Sequence, residues 1–71
     1  KAMMPIEAFN IFFNSHLTTE QFDTIGGVIA NRFGYLPKRG ASITLAPFRF
    51  KVLRADNRLI RLLQVNIEKP N

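Results

Sequence analysis

The residues able to do chemistry are few, and their spacing gives most of them a structural explanation. The single histidine, His16, follows Ser15, and such a pair could supply a nucleophile with its base. No acid stands close enough in sequence to orient the imidazole, and Asn14-Ser15-His16 reads as the end of a helix. An ordinary loop histidine is therefore preferred. The five acidic residues, Glu7, Glu20, Asp23, Asp56 and Glu68, are spread along the chain. No two are placed as an acid–base pair, and together they make no oxygen cage for a metal ion. Asp23 reads as a helix cap and Asp56-Asn57 as turn chemistry. With no cysteine, disulfides, thiolate nucleophiles and thiolate metal sites are excluded. The chain reads as a non-enzyme with no catalytic residue and no metal ligand.

Two short patterns could hold an anion. Gly26-Gly27, near the start of a helix, could open its N-terminus to a phosphate, and Lys38-Arg39 is the one adjacent basic pair. These four are the candidate positions for an adenine nucleotide or for FAD. The glycines do not follow G-x-G-x-x-G, however, and no strand stands immediately before them. Two glycines inside a helix cost about 2 kcal/mol relative to two alanines, so something must offset them. Close approach of the helix to a sheet or to another backbone is the preferred account, with Lys38-Arg39 a solvated loop tip. No cofactor is expected.

The elements that must position these residues follow from periodicity. Met3-Met4 could end a short strand, and Pro5 at the first helical position opens a helix over 6–14, with Glu7 in its first turn. Ile6, Phe9 and Phe13 share one face, widened by Phe12 and Ile11. Thr18-Thr19-Glu20-Gln21 fits a capping box over a short turn at 19–22. The main helix spans 24–33 with Asp23 as its cap, Phe22 as a staple, and Ile25, Val28, Ile29 and Phe33 on its apolar face. Gly34 stops it, and Pro37 holds Leu36 extended in the following loop. Three strands complete the chain, over 42–45, 48–54 and 59–67, joined by Ala46-Pro47 and by a turn at 55–58.

A symmetric turn on Asp56-Asn57 sets Phe48 against Val65, Phe50 against Leu63, and Val52 against Arg61 on the core side. The other side carries Arg49 by Gln64, Lys51 by Leu62, and Leu53 by Ile60. Leucines and an isoleucine with a basic border mark a contact surface, so Arg49, Lys51, Leu53, Ile60, Leu62 and Gln64 are expected to meet another subunit or domain.

At 71 residues there is room for one domain and one modest core, and 46% hydrophobic content rules out a disordered segment. The net charge of +5 favours anionic neighbours. No apolar run is long enough to cross a bilayer, so no membrane insertion is expected. Nor is there a signal-peptide pattern. The Phe and Arg residues of the second strand do not form the aromatic signature of the common RNA-binding domain, and no nucleic-acid partner is expected. Lys1 is no obvious natural start, which suggests a piece of a longer chain.

Met4-Pro5-Ile6-Glu7-Ala8-Phe9-Asn10, Asp23-Thr24-Ile25-Gly26-Gly27, Phe33-Gly34-Tyr35-Leu36-Pro37-Lys38-Arg39-Gly40, Phe50-Lys51-Val52 and Asp56-Asn57-Arg58 carry a family resemblance. Over about residues 3–67 the chain resembles the transporter-associated domain at the C-terminus of CorC/HlyC proteins, the magnesium and cobalt efflux and hemolysin-like proteins with paired CBS domains. The resemblance implies an α+β fold, two helices on a small antiparallel sheet, grouped with FAD-binding-like domains. It implies a regulatory or accessory role in ion transport, with the CBS domains of the parent protein and a second copy (a homodimer) as partners. It also implies a cytoplasmic setting, at the inner face of the plasma membrane through the parent. Family members usually have a strand before the first helix, which here is reduced to Lys1-Ala2-Met3-Met4. The fold grouping does not itself carry flavin binding.

Overall fold

Pro5 and Thr24 meet in an antiparallel bridge, and two helices start side by side from it in the computed structural model, which describes residues 1–18 and 21–68. The first, α1, spans Ile6–Phe13, and the second, α2, spans Ile25–Phe33. Each start is closed by the other's flank. The Ile6 N–H donates to the Asp23 carbonyl at 2.9 Å, and the Ile25 N–H donates to the Met4 carbonyl at 3.0 Å. Pro5 therefore stands just before α1, with extended backbone at φ −60° and ψ 143°, instead of inside its first turn. Residues 2–3 form a turn closed by the Met4 N–H on the Lys1 carbonyl, where the sequence suggested the end of a strand. The capping box at 18–21 runs through residues outside those described.

Three strands follow: β1 Ser42–Leu45, β2 Phe48–Ala55 and β3 Ile60–Ile67, antiparallel in the order β1-β2-β3. Ala46-Pro47, with a cis peptide bond, joins β1 to β2. Phe48, Phe50 and Val52 alternate inward and are buried, as a period of two demands. Both helices pack on that face. Phe9 of α1 places its ring centroid 5.3 Å from that of Phe48, edge-on, and 5.8 Å from that of Phe50. Ile6, Ile25 and Ile29 complete the core with Ile60, Leu63 and Ala2. Burial is worth about 1.5–3 kcal/mol for each large apolar side chain, so this layer dominates the stability. Ile11 and Phe12, expected to widen the apolar face of α1, are 83% and 76% exposed.

The β2–β3 register differs from the expected one. Phe48 pairs with Ile67, Phe50 with Val65, and Val52 with Leu63, so each partner lies two residues further along. The cause is the turn. The Asp56 N–H donates to the Leu59 carbonyl, and Asp56 Oδ1 accepts from the Arg58 and Leu59 N–H groups at 2.8 Å each. The loop is thus centred on Asn57-Arg58. A slip of two preserves the faces of β2. Nearer the turn the ladder breaks twice: Arg54 pairs with Leu62 and Ala55 with Ile60, leaving Leu53 and Arg61 as the extra residues. These bulges turn Ile60 into the core at 3% exposure, away from the outer face where it was expected. Arg61, expected at the core rim opposite Val52, instead reaches out to Asp56.

Candidate functional site

The glycines of α2 are explained by what touches them. Gly26 donates its N–H to the Ala2 carbonyl at 2.7 Å, and a Cβ there would lie 2.9 Å from the same oxygen. Gly27 donates to Thr24 Oγ1 at 3.1 Å, which makes Thr24 the cap in place of Asp23. Asp23 is displaced from that role by geometry, since its carbonyl closes α1. The first N–H groups of α2, from Ile25 to Val28, thus all have backbone or Thr24 partners, the last donating to the Thr24 carbonyl. A phosphate at this terminus would have to displace them.

Lys38 and Arg39 are exposed in the turn that leads into β1. The Ala41 N–H donates to the Lys38 carbonyl at 3.1 Å, and Gly40, at φ 94°, donates its N–H to the Val52 carbonyl at 2.7 Å. That positive φ is the reason a glycine ends the pair. One cleft, of about 330 Å³, is lined by Leu17, Phe22, Val28, Asn31, Arg32 and Leu45 among others. A second, of about 390 Å³, lies between His16, Pro47, Phe48 and Ile67. Neither takes in Gly26, Gly27, Lys38 or Arg39.

His16 is exposed in a loop whose shape is set by a residue that periodicity does not single out. Asn10, on α1, donates from Nδ2 to the Leu17 carbonyl at 2.9 Å, and its Oδ1 accepts from Ser15 Oγ at 2.8 Å and the Leu17 N–H at 3.0 Å. Ser15 is thereby committed to Asn10, not to His16. The signal for Asn10 was present: a lone amide between Phe9 and Ile11-Phe12-Phe13 needs partners when half buried. Asn14, at φ 53°, begins this loop in the left-handed region.

Of the expected contact surface, Arg49, Lys51 and Gln64 are exposed on the outer sheet face, while Leu53 and Leu62 are half buried beside the bulges. Across the three strands, Thr44, Arg49 and Asn66 form one row and Ser42, Lys51 and Gln64 the next. Gly40, Ser42, Arg49, Lys51 and Asn66 line a polar cleft of about 350 Å³. One ion pair forms among the described residues, Arg61 Nε to Asp56 Oδ2 at 2.8 Å. The N–H groups of Leu59 and Arg58, then Arg61, lower the Asp56 pKa to about 2. Among the described residues there is no group of three or more potential metal ligands, no buried charged side chain, and no helix long and apolar enough to cross a membrane.

The arrangement defines a small α+β domain with polar and basic surfaces around one aromatic core. The chain belongs to the CorC_HlyC family, described as the transporter associated domain, whose model matches residues 1–69. It is 52% identical over 67 residues to the magnesium and cobalt efflux protein CorC of Pasteurella multocida, covering 94% of this chain and 22% of that protein. It is 42% identical over 71 residues to the Escherichia coli K12 protein of the same name, covering all of this chain and 24% of that one. The chain therefore spans about a quarter of the length of these curated relatives. Among solved structures it superimposes on a Mg2+ and Co2+ transporter (CorC) associated region from Neisseria meningitidis MC58 with TM-score 0.89 and 38% identity, over 93% of this chain and 82% of that one. A CorC_HlyC domain from Haemophilus ducreyi, at 22% identity and TM-score 0.80 over 97% and 92% of the two chains, shares the fold.

Proposed function

We propose that the chain is a non-catalytic regulatory or accessory domain of a CorC-like magnesium and cobalt efflux protein. It acts by docking onto the CBS domains of its parent and by pairing with a second copy. The observation that carries this reading is the match along nearly the whole chain to a family whose named relatives are efflux proteins. The surface supports it: Leu53 and Leu62 remain half buried where the ladder is broken, so each keeps apolar surface open to a partner. The bulged end of the hairpin is the proposed pairing surface, narrower than the face first expected because Ile60 belongs to the core.

Replacing the matching segment of the Pasteurella multocida protein with this chain should preserve cobalt tolerance in cells, and deleting the segment should reduce it. Equal tolerance with the segment deleted sinks the accessory role. In parallel, Leu53→Lys with Leu62→Lys should lower the solution mass of the isolated chain at high concentration. A mass unaltered by the pair removes these leucines from the interface.

A further inference from the structure

We propose that the outer face of the sheet is an electrostatic contact surface for a layer of anionic lipid headgroups. The centre of this face is β2, where Arg49 and Lys51 stand two residues apart on the same side, roughly 7 Å from one another. Their cross-strand neighbours Ser42, Thr44, Gln64 and Asn66 are exposed and uncharged. Lys38 and Arg39 are exposed in the turn before β1, and Arg54 is exposed further along β2.

None of these five cations has a carboxylate partner among the described residues. Three of the described acids lie elsewhere: Glu7 in the first turn of α1, Asp23 before α2, and Asp56 against Arg61. The fourth, Glu68, stands two residues after Asn66, just beyond the end of β3, and forms no ion pair with Arg49. Among the described residues, no ion pair thus neutralises the cations of this face. Within it, the Ser42 hydroxyl and Asn66 amide share the 350 Å³ cleft with both central cations, a donor set suited to phosphate oxygens.

The rest of the face decides which polyanion fits. Single-stranded nucleic acid is held by aromatic platforms as well as charge, and the phenylalanines of β2 all point into the core. A protein partner with its own core would want an apolar anchor at the centre, where this face has Arg49 and Lys51. A headgroup layer needs neither; each basic side chain near its surface contributes about 1 kcal/mol. This inference is independent of CBS docking and of dimerisation, since the bulged end carrying Leu53 and Leu62 is not required for it.

The test is sedimentation of the 71-residue chain with vesicles of phosphatidylcholine alone and with vesicles in which about a third of the lipid is phosphatidylglycerol. Binding should require the anionic lipid and should vanish near 1 M salt, where charges are screened within about 3 Å. Arg49→Gln with Lys51→Gln should weaken partitioning about thirtyfold, and both positions are exposed enough for circular dichroism to confirm an intact fold. Arg32→Gln with Arg58→Gln removes the same charge from α2 and the hairpin tip, and should cost far less. The proposal is overturned if anionic vesicles bind no better than neutral ones, or if binding survives high salt. It is equally overturned if the two double variants lose alike, or if an oligonucleotide or polyglutamate competes more tightly through the same two residues.

Discussion

The Gly26 N–H and the Ala2 carbonyl form a 2.7 Å hydrogen bond, and that oxygen occupies the space a side chain on Gly26 would need. Gly26→Ala should therefore force the first residues off α2. Overpacking costs about 1–3 kcal/mol, against which the alanine recovers about 1 kcal/mol of helix propensity. At Gly27 a Cβ would meet side chains and no backbone oxygen at such range: Thr24 Oγ1 at 3.3 Å, close but short of a clash, and Phe22 at 3.5 and 3.6 Å. Gly27→Ala should be close to neutral. Thermal melts of the two variants check the contrast; a Gly26→Ala chain as stable as the parent removes close packing as the reason for that glycine.

Asn10→Ala should free the loop at 15–17. It removes the partners of the Leu17 N–H and carbonyl and of the Ser15 hydroxyl, at an expected cost of about 1–3 kcal/mol. Hydrogen exchange at the Leu17 amide is the direct readout and should accelerate far more than exchange in β2. Unchanged protection at Leu17 would show that the loop holds its shape without Asn10.

The Asp56 carboxyl titrates at about 2 in the folded chain against 3.8 for the free group. A group whose folded pKa is depressed contributes stability above its unfolded pKa and loses it as the pH falls through the folded value. The hairpin turn should hold above about pH 4 and loosen between there and about pH 2. Asp56→Asn should flatten this dependence, read from the chemical shifts of the Arg58 and Leu59 amides against pH. Identical acid profiles for parent and variant would place the effect in another carboxylate.

Adding FAD or ATP should leave the melting midpoint where it is, because the α2 amides that would receive a phosphate already have partners. A ligand that binds only the folded state raises the midpoint with concentration. Such a rise, lost in Lys38→Gln with Arg39→Gln, would instead restore the basic loop as a nucleotide contact.

The sequence carries the fold well where the signal is local. Gly34, Ala46-Pro47 and the alternation of Phe48, Phe50 and Val52 mark element ends and the inward side of β2 without knowledge of any partner. Competition between neighbours is harder to read: Asp23 and Thr24 are both good caps, and the choice is made by Ile6, which takes the Asp23 carbonyl across the bridge. The hairpin misled for a similar reason. Asp56 captures two amides beyond Asn57, moving the turn centre by one residue, and the bulges at Leu53 and Arg61 leave no trace in an alternating pattern. Arg49, Lys51 and Gln64 kept their side because a slip of two preserves parity; Ile60 lost it to the bulges. Asn10 was legible as an anomaly but not as a hub, since its partners lie in a loop without periodicity.

The carbonyls of Ala2 and Met4 hold the first turn of α2, while the Ala2 N–H reaches the Arg61 carbonyl on β3 at 3.3 Å. Residues 2–4 are thus a mechanical coupling as well as a cap. A pull or twist applied to them would act first on the opening turn of a helix and the border of a sheet, before any of the aromatic core had to move. Strain entering there would reach α2 and β3 together, through one three-residue segment.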